Sequence, residues 1–266
     1  MSMNNFDLEV VRLLERHSAR CWPATFVDSY YGWEIRRTPD VSSGRVNSVN
    51  PITPESGKFD QVLVKARALF DEQDEWPLIR IHPLAGEEPI ERLKELGLHG
   101  QGDTVVKTLT LSDAIAPPSL LCVLTDSMTP DWMIAFGEAH DTAEEERESI
   151  ARTLSRVTVK QAFAVLYDGG RPVASGRGAV ADGWIGLFQI STVPEARQRG
   201  FGGAIVGSLL AWGRQAGAER AYLQVELKNE VARRLYRSFG FEAAYTYSYW
   251  WLPDDIELVN PTPNIR

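Results

Sequence analysis

The sequence predicts an α/β (α+β) fold in which a mixed central sheet is flanked by helices, and three observations predict it. The chain has 266 residues, 44% hydrophobic and 24% charged, as in an ordinary soluble globular protein. In its second half, short apolar runs alternate with segments whose apolar residues recur at helical spacing. Glycine, proline and asparagine stand between these segments, where turns and helix ends need them. Strands that alternate with helices build such a sheet.

The second half contains three predicted helices and five predicted strands. Thr142 followed by Glu145 predicts a capping box at the start of the first helix. Asn229 predicts the N-cap of the third helix, and Gly240 predicts its end. The second helix covers residues 201–216, and the strands cover residues 161–167, 172–180, 184–192, 221–227 and 245–252.

The first half repeats the same order of elements in weaker form, which indicates an internal repeat. The alternative is that two unrelated α/β segments share this order by chance. The predicted elements of this half are strands at residues 33–37, 46–50, 76–82 and 104–111 and helices at residues 59–70 and 88–96.

A linker is predicted between the two halves. Residues 112–119 read SDAIAPPS, and paired prolines fit neither a helix interior nor a central strand. We therefore expect an N-terminal domain over residues 1–115 and a C-terminal domain over residues 119–266, two tandem copies of one fold.

Charge and composition limit the partners and the location. The net charge of −8 gives no counterion-release drive toward nucleic acid, so we expect no nucleic-acid partner. The longest apolar runs, such as residues 205–210, are far shorter than the ~20 residues that span a bilayer, so we expect no membrane partner. No signal-peptide pattern opens the chain. Cys21 and Cys122 fit buried reduced thiols, and we expect a cytoplasmic protein.

The strongest local motif is RQRGFGG at residues 197–203, between a predicted strand and a predicted helix. Glycine lets a backbone approach a ligand closely, and the first amides of a helix have no partner within the helix. Together these features favour a pyrophosphate cradle, to which Arg197 and Arg199 add positive charge. Taken alone, the motif also fits a glycine-rich turn with a solvated basic face. It matches neither a Walker loop nor a dinucleotide fingerprint.

A second motif follows after one helix and one strand. Residues 229–241 fit N-x-x-A-x-x-L-Y-x-x-x-G-F, with Asn229 first and Tyr236 at the tyrosine position. The ordered pair of motifs resembles the GCN5-related N-acetyltransferase (GNAT) family, over roughly residues 119–253. The resemblance implies the acyl-CoA N-acyltransferase fold, acetyl-CoA as the acyl donor and no metal.

The resemblance also assigns roles to residues. The strand end before Pro194 corresponds to the splayed family strand that pairs with pantetheine, the glycine motif to the pyrophosphate cradle, and Asn229 to the hydrogen-bonding partner of the CoA arm. Tyr236 corresponds to the general acid. The cofactor-binding residues implied are Ile190, Ser191, Thr192, Arg197, Gln198, Arg199, Gly200, Phe201, Gly202, Gly203, Asn229 and Tyr236.

The general base has a weaker signal. Glu226 lies near the end of a predicted strand, three residues before Asn229, and is our candidate base. A solvated carboxylate at a strand edge is an equal alternative, and a base acting through water leaves no mark in a sequence. None of the histidines stands in metal-ligand or triad spacing.

The first half departs from the family pattern. Its loop at residues 52–58 reads ITPESGK, with one glycine, a proline and an acidic residue, and Leu93 stands where Tyr236 stands in the second half. A carboxylate repels pyrophosphate, and leucine donates no proton. We therefore expect a degenerate GNAT-like domain that packs on the catalytic one and helps to shape its substrate pocket.

These observations predict an N-acetyltransferase that moves an acetyl group to a primary amine by direct attack in a ternary complex. The acceptor is a small molecule, a peptide or a protein, and the chain is a monomer or a homodimer. Two alternatives remain open at this point: a CoA-binding module without catalysis, and an acyltransferase that uses another acyl-CoA.

Overall fold

The computed structural model describes residues 7–39, 41, 43–72, 75–111, 122–256 and 258. The predicted linker at residues 112–119 lies outside the described residues. The helices are α1 (Leu8–Cys21), α2 (Phe59–Asp71), α3 (Glu88–Glu95), α4 (Pro130–His140), α5 (Glu144–Ser155), α6 (Phe201–Gln215) and α7 (Glu230–Ser238). The strands are β1 (Phe26–Tyr30), β2 (Trp33–Arg37), β3 (Ser48–Pro51), β4 (Leu78–Ile81), β5 (Gly100–Thr110), β6 (Val123–Thr125), β7 (Lys160–Asp168), β8 (Arg171–Ala181), β9 (Trp184–Thr192), β10 (Arg220–Glu226) and β11 (Glu242–Trp251).

The eleven strands of the described residues form one mixed sheet in the order β1-β2-β3-β4-β11-β5-β10-β9-β8-β7-β6. The outer strands of each half run antiparallel, and β3 with β4 and β9 with β10 form the parallel pairs. Helices pack on the sheet and bury separate apolar clusters, one under α6 and one under α2. The mixed sheet flanked by helices confirms the predicted fold class.

The two halves exchange their last strands at the centre of the sheet. β5, from the first half, lies between β10 and β11, whereas β11, from the second half, lies between β4 and β5. Both halves follow the order three strands, helix, strand, helix, strand; β1, the first of the three strands in the first half, was not among the predicted elements. The division into residues 1–115 and 119–266 stays a prediction, and the sheet itself runs through both halves.

Several predicted elements are observed within one or two residues of their expected ends, and one detail is wrong. The capping box at Thr142 is not formed. The helix begins at Glu144 after Ala143, which gives it no side-chain cap, and Thr142 instead accepts a hydrogen bond from Arg147 through its carbonyl (2.8 Å). The first helix of the chain, α1, was not predicted.

A buried ionic cluster joins α1 to the central strands. The carboxylate of Glu15 accepts hydrogen bonds from the guanidinium of Arg80 and from the hydroxyl of Tyr245 (2.6 Å). The ring of His82 lies 3.8 Å from the same carboxylate. Burial works against the charge of Glu15, but Arg80 and its hydrogen bonds hold the pKa of this carboxyl well below its usual range. The cluster ties α1 and β4 of the first half to β11 of the second.

Stability should therefore fall on acidification. Burial lowers the pKa of both His17 and His82 from 6.5 to about 4. Between these values the unfolded chain binds more protons than the folded one, so the free energy of unfolding decreases as the pH falls. We expect a loss of about 2 kcal/mol for each histidine between pH 7.5 and pH 5, from about 1.36 kcal/mol for each pKa unit. Urea unfolding at pH 7.5 and pH 5 measures this loss. The control is His99→Gln, at an exposed histidine, which should lose the same free energy of unfolding as the wild type. An unfolding free energy that is flat over this interval would contradict the expectation.

No helix in the described part of the chain is long and apolar enough to cross a membrane.

Candidate active site

A cleft of about 680 Å³ opens where two parallel strands diverge. β9 and β10 pair in register only from Trp184 with Arg220 to Leu187 with Leu223. Beyond that point β9 continues along β8 to Thr192, whereas β10 continues along β5 to Glu226. The edge of β9 that faces the gap is therefore free of β10, and an extended ligand can pair with its backbone there.

The glycine motif closes one end of this cleft in a left-handed turn. Gln198 has φ +62° and Gly200 has φ +84°, and the residues around them line the cleft. Positive φ is strained for glutamine and easy for glycine. Alternation of left-handed and ordinary backbone turns successive N–H groups toward one side and makes an anion-binding concavity.

Helix α6 adds its first amides to the same concavity. Its N-cap is Gly200, which offers no side chain to accept from them. A Cβ built on Gly202 would lie 3.5 Å from Leu235 and 3.8 Å from Thr192, which is ordinary contact distance. The packing of the protein would therefore tolerate a side chain at position 202. The absence of that side chain keeps space in the cleft between Thr192 and Leu235.

Helix α7 forms the opposite wall. The side-chain oxygen of Asn229 accepts from the amide of Ala232 at 3.0 Å, which confirms the predicted N-cap. Because the cap uses the oxygen, the amide nitrogen of Asn229 is the group that can donate to a ligand in the cleft. Asn229, Ala232 and Leu235 all line it.

Tyr236 lies on the inner face of α7 and lines the cleft. It is 7% exposed, and its ring packs edge-on against Phe241 with centroids 6.0 Å apart. Burial raises the pKa of Tyr236 to about 12, and the charge of Arg45 partly offsets this rise. The phenol is therefore a protonated hydrogen-bond donor at neutral pH.

The two arginines of the motif are placed differently. Arg197 lines the cleft and donates to the carbonyl of Thr192 at 3.2 Å. Arg199 is half exposed, forms a two-contact ion pair with Asp168 (2.6 and 3.1 Å) and does not line the cleft. The structure thus brings together eleven of the twelve predicted cofactor-binding residues, Arg199 being the exception.

Glu226 lies outside the residues that line the cleft. Its carboxylate contacts the ammonium of Lys228 at 2.8 Å, and the side chain is about half exposed. Gln224 lies on the same face of β10 as Glu226. Its side chain is already engaged, because it donates to Ser18 (3.1 Å) and accepts from Tyr247 (3.0 Å). Glu226 therefore has no contact with the cleft, and such a contact is what a base in the cleft would need.

The sequence reasoning did not identify the wall that α4 contributes. Ala139 and His140 line the cleft at the end of this helix. Burial lowers the pKa of His140, so its ring is neutral at pH 7. Thr129 caps α4 through its side chain and Pro130 stands at its first turn, a pattern by which the start of this helix could have been found.

The corresponding place in the first half is filled by the protein itself. A carboxylate oxygen of Glu88, on α3, accepts from the amide of Gly57 at 2.8 Å, and the other accepts from the hydroxyl of Ser56 at 2.8 Å. These donors stand where the glycine motif stands in the second half. The hollow beside them holds three more carboxylates, from Asp60, Glu91 and Glu95. Leu93 is fully buried.

Among the described residues, no group of three or more histidine, cysteine, aspartate or glutamate side chains is placed to hold a metal ion.

The diverging strands, the cradle and the capped helix define an acyltransferase of the GNAT class. The sequence matches the family described as "Probable histone acetyltransferase Rv0428c C-terminal" over residues 9–250. It is 30% identical over 260 residues to the uncharacterized N-acetyltransferase YobR of Bacillus subtilis (strain 168), covering 91% of this chain and 98% of YobR. The chain belongs to this family, and it is an acetyltransferase of the GNAT type.

Solved structures of the same fold agree. A GCN5-related N-acetyltransferase from Kribbella flavida superposes with a TM-score of 0.69 at 16% identity, over 95% of this chain and 97% of its own. A tandem GNAT protein from the clavulanic acid biosynthesis pathway gives 0.63 at 16% identity, over 78% of this chain and 74% of its own. At such identities the likeness shows the fold alone.

Proposed function

We propose that the chain is an acetyl-CoA-dependent N-acetyltransferase, with one cofactor site per chain and Tyr236 as the general acid. The observation that carries this proposal is the placement of a protonated, buried phenol in the same cleft as the glycine cradle. The base role of Glu226 forms no part of it, since that carboxylate contacts Lys228.

The residues of the cleft fit coenzyme A. The amides of residues 198–203 suit the pyrophosphate, because they combine unpaired N–H groups with the positive end of the α6 dipole. Arg197 adds a cation at the rim. The free edge of β9 at residues 190–192 suits the amide-containing pantetheine arm, and the side-chain amide of Asn229 faces the same space.

Acetyl-CoA would supply an activated thioester, and the chain must solve two proton problems around it. An alkyl amine with a pKa near 10.4 is neutral in only about one molecule in 2,500 at pH 7, a deficit of about 4–5 kcal/mol. Burial in a cleft walled by Leu235, Ile190 and Ala139 disfavours the ammonium form and reduces this deficit. The proton leaves through water at the open side.

The second problem is the departing thiolate. A phenol with a pKa of about 12 gives a proton to a thiolate of pKa about 8.5 only uphill, by about 5 kcal/mol for free solutes. The same burial raises the pKa of a thiol that forms beside Tyr236, so the difference between the pKa values of the phenol and the thiol becomes smaller. Tyr236 thus donates a hydrogen bond to the sulfur as charge develops, and its proton passes to the departing thiol. The phenolate left behind takes up the proton that the amine releases, by way of water.

Binding should occur once per chain. We expect calorimetry with CoA to give a stoichiometry of one, since Glu88 already accepts from the amide of Gly57 in the first half and the carboxylates beside it repel phosphate. In the same samples, release of CoA from acetyl-CoA should require an added amine. A stoichiometry of two would contradict the degenerate role of the first half. Release of CoA at one rate with and without amines would contradict the transferase.

A further inference from the structure

A second, smaller pocket of about 170 Å³ lies beside the cleft. It neighbours the cleft, since Gln189 precedes Ile190 on β9 and the ring centroids of Phe136 and His140 lie 4.7 Å apart. Segments from both halves of the chain build it. Trp22, Val41 and Arg45 come from the first half, and Phe136, Phe188 and Gln189 come from the second.

One hydrogen-bond donor in this pocket has no acceptor. Trp22 is 8% exposed, and its indole Nε1–H finds no hydrogen-bond partner among the described residues. Buried donors are nearly always paired, so this N–H is available to an acceptor that enters the cavity.

A buried cation lies directly beneath the pocket. Arg177 is fully buried, and its guanidinium donates to the side-chain oxygens of Gln189 (2.8 Å) and Gln161 (3.1 Å) and to the carbonyl of Cys21 (2.9 Å). All three acceptors are neutral. Burial without a carboxylate partner lowers the pKa of Arg177 to about 10, which still leaves it charged.

The same guanidinium is held against the pocket walls. It lies 5.7 Å from the ring of Trp22 and 4.6 Å from that of Phe188. These contacts fix the position of the Arg177 guanidinium below the pocket. Gln189 adopts a left-handed conformation (φ +52°), and its side-chain oxygen accepts from that guanidinium.

Arg45 adds a second cation at the rim. It is half buried, and its charge acts on Arg177 as well as on the phenol of Tyr236. The carboxylate of Glu146 also lines the pocket. The pocket with its floor thus carries two guanidiniums and an unpaired N–H against one carboxylate, a balance that favours an anionic guest.

We propose that this pocket holds the carboxylate group of a small amine acceptor, with Arg45 as the specificity-determining residue, an inference that rests on the proposed function. The volume suits one amino-acid-sized guest. The acceptor is thus an amine that carries a carboxylate, oriented with its nitrogen toward the cleft that contains Tyr236. The first half, which has lost its own cradle, supplies the residue that selects the substrate.

The test compares matched acceptors. Initial rates of CoA release are measured with β-alanine against β-alaninamide and with lysine against lysinamide, at saturating acetyl-CoA. We expect kcat/KM to be at least 10-fold higher for at least one acid than for its amide. The amide of an α-amino acid is less basic and more often neutral, so unassisted chemistry favours the amide and a preference for the acid comes from the protein.

Arg45→Gln should reduce this acid-to-amide ratio at least 10-fold, and Arg12→Gln, a variant at a half-buried arginine of α1 that pairs with Glu9, should preserve it. The ratio cancels any effect of Arg45 on Tyr236, and calorimetry on Arg45→Gln should give the wild-type affinity for acetyl-CoA. Equal rates for acid and amide, a ratio unchanged by Arg45→Gln, or no acid acetylated while acetyl-CoA binds would each overturn the inference. Failure to bind acetyl-CoA would instead overturn the proposed function.

Discussion

Tyr236→Phe should lower kcat about 100-fold and leave the affinity for acetyl-CoA within about twofold. The substitution removes only the hydroxyl, and the ring keeps its packing on Phe241. General acid catalysis contributes on the order of 10²–10⁴ in rate, and residual turnover remains because a thiolate leaves unaided at a slower rate. Steady-state kinetics with an amine that the wild type acetylates, together with calorimetry, separates the two effects.

A matched variant checks that the effect belongs to the cleft. Tyr167→Phe also removes one hydroxyl, here one that donates to Asp131 at 2.7 Å on the surface. It should keep wild-type kcat. A thioester with a better leaving group should rescue Tyr236→Phe in part, as expected if the phenol assists the departing sulfur. If kcat is unchanged in Tyr236→Phe, the phenol is a packing residue and not the acid.

Gly202→Asp should strongly weaken CoA binding without unfolding the protein. Position 202 is in the first turn of α6, where a carboxylate interacts favourably with the helix dipole and the wild-type glycine costs helix stability. The same carboxylate would stand at the cradle and repel the pyrophosphate. We expect the Kd for CoA to rise at least about 100-fold, or about 2.7 kcal/mol, with a melting temperature no lower than that of the wild type.

Gly202→Asn is the control, since it has the same size without the charge. It should weaken binding less than Gly202→Asp does. The aspartate variant repeats in the second half what the first half already does with Glu88, whose carboxylate accepts from the amide of Gly57. Equal affinities for the two variants would mean that steric blockage and not charge governs the site, and wild-type affinity in Gly202→Asp would place the pyrophosphate elsewhere.

The sequence was informative wherever local chemistry decides structure. The strand at residues 184–192 is observed with the predicted ends, because the turn at Asp182 and Gly183 precedes it and Pro194 follows it. The cap at Asn229 and the helix that begins after the glycine motif follow from hydrogen-bond needs of a few neighbouring residues. For this reason eleven predicted cofactor-binding residues fall in one cleft.

Features that depend on distant partners were not predictable in this way. Helix α1 buries Glu15 and His17 on its inner face, and these polar residues interrupt the apolar periodicity by which a helix is predicted. Their partners, Arg80 and Tyr222, lie 65 and 205 residues away in the sequence. The exchange of β5 and β11 leaves no local signal, because either strand could pair within its own half.

The placement of Glu226 illustrates the same limit. The sequence placed Glu226 near the end of a strand, but it could not show that the carboxylate pairs with Lys228. The second pocket combines Trp22, Arg45 and Gln189 from segments far apart in the chain. Arg177 has a signal in the sequence, because a charged residue stands between Gly176 and Gly178 in the middle of an apolar strand.

A crystal structure of the protein with acetyl-CoA tests most directly whether the amides of the glycine turn hold the cofactor. One molecule should be bound per chain, with diphosphate oxygens 2.7–3.2 Å from the backbone nitrogens of residues 198–203, roughly the ordinary hydrogen-bond range, and the thioester sulfur beside the hydroxyl of Tyr236. A diphosphate bound away from this turn, or a second molecule at Gly57 in place of the carboxylate of Glu88, would contradict it.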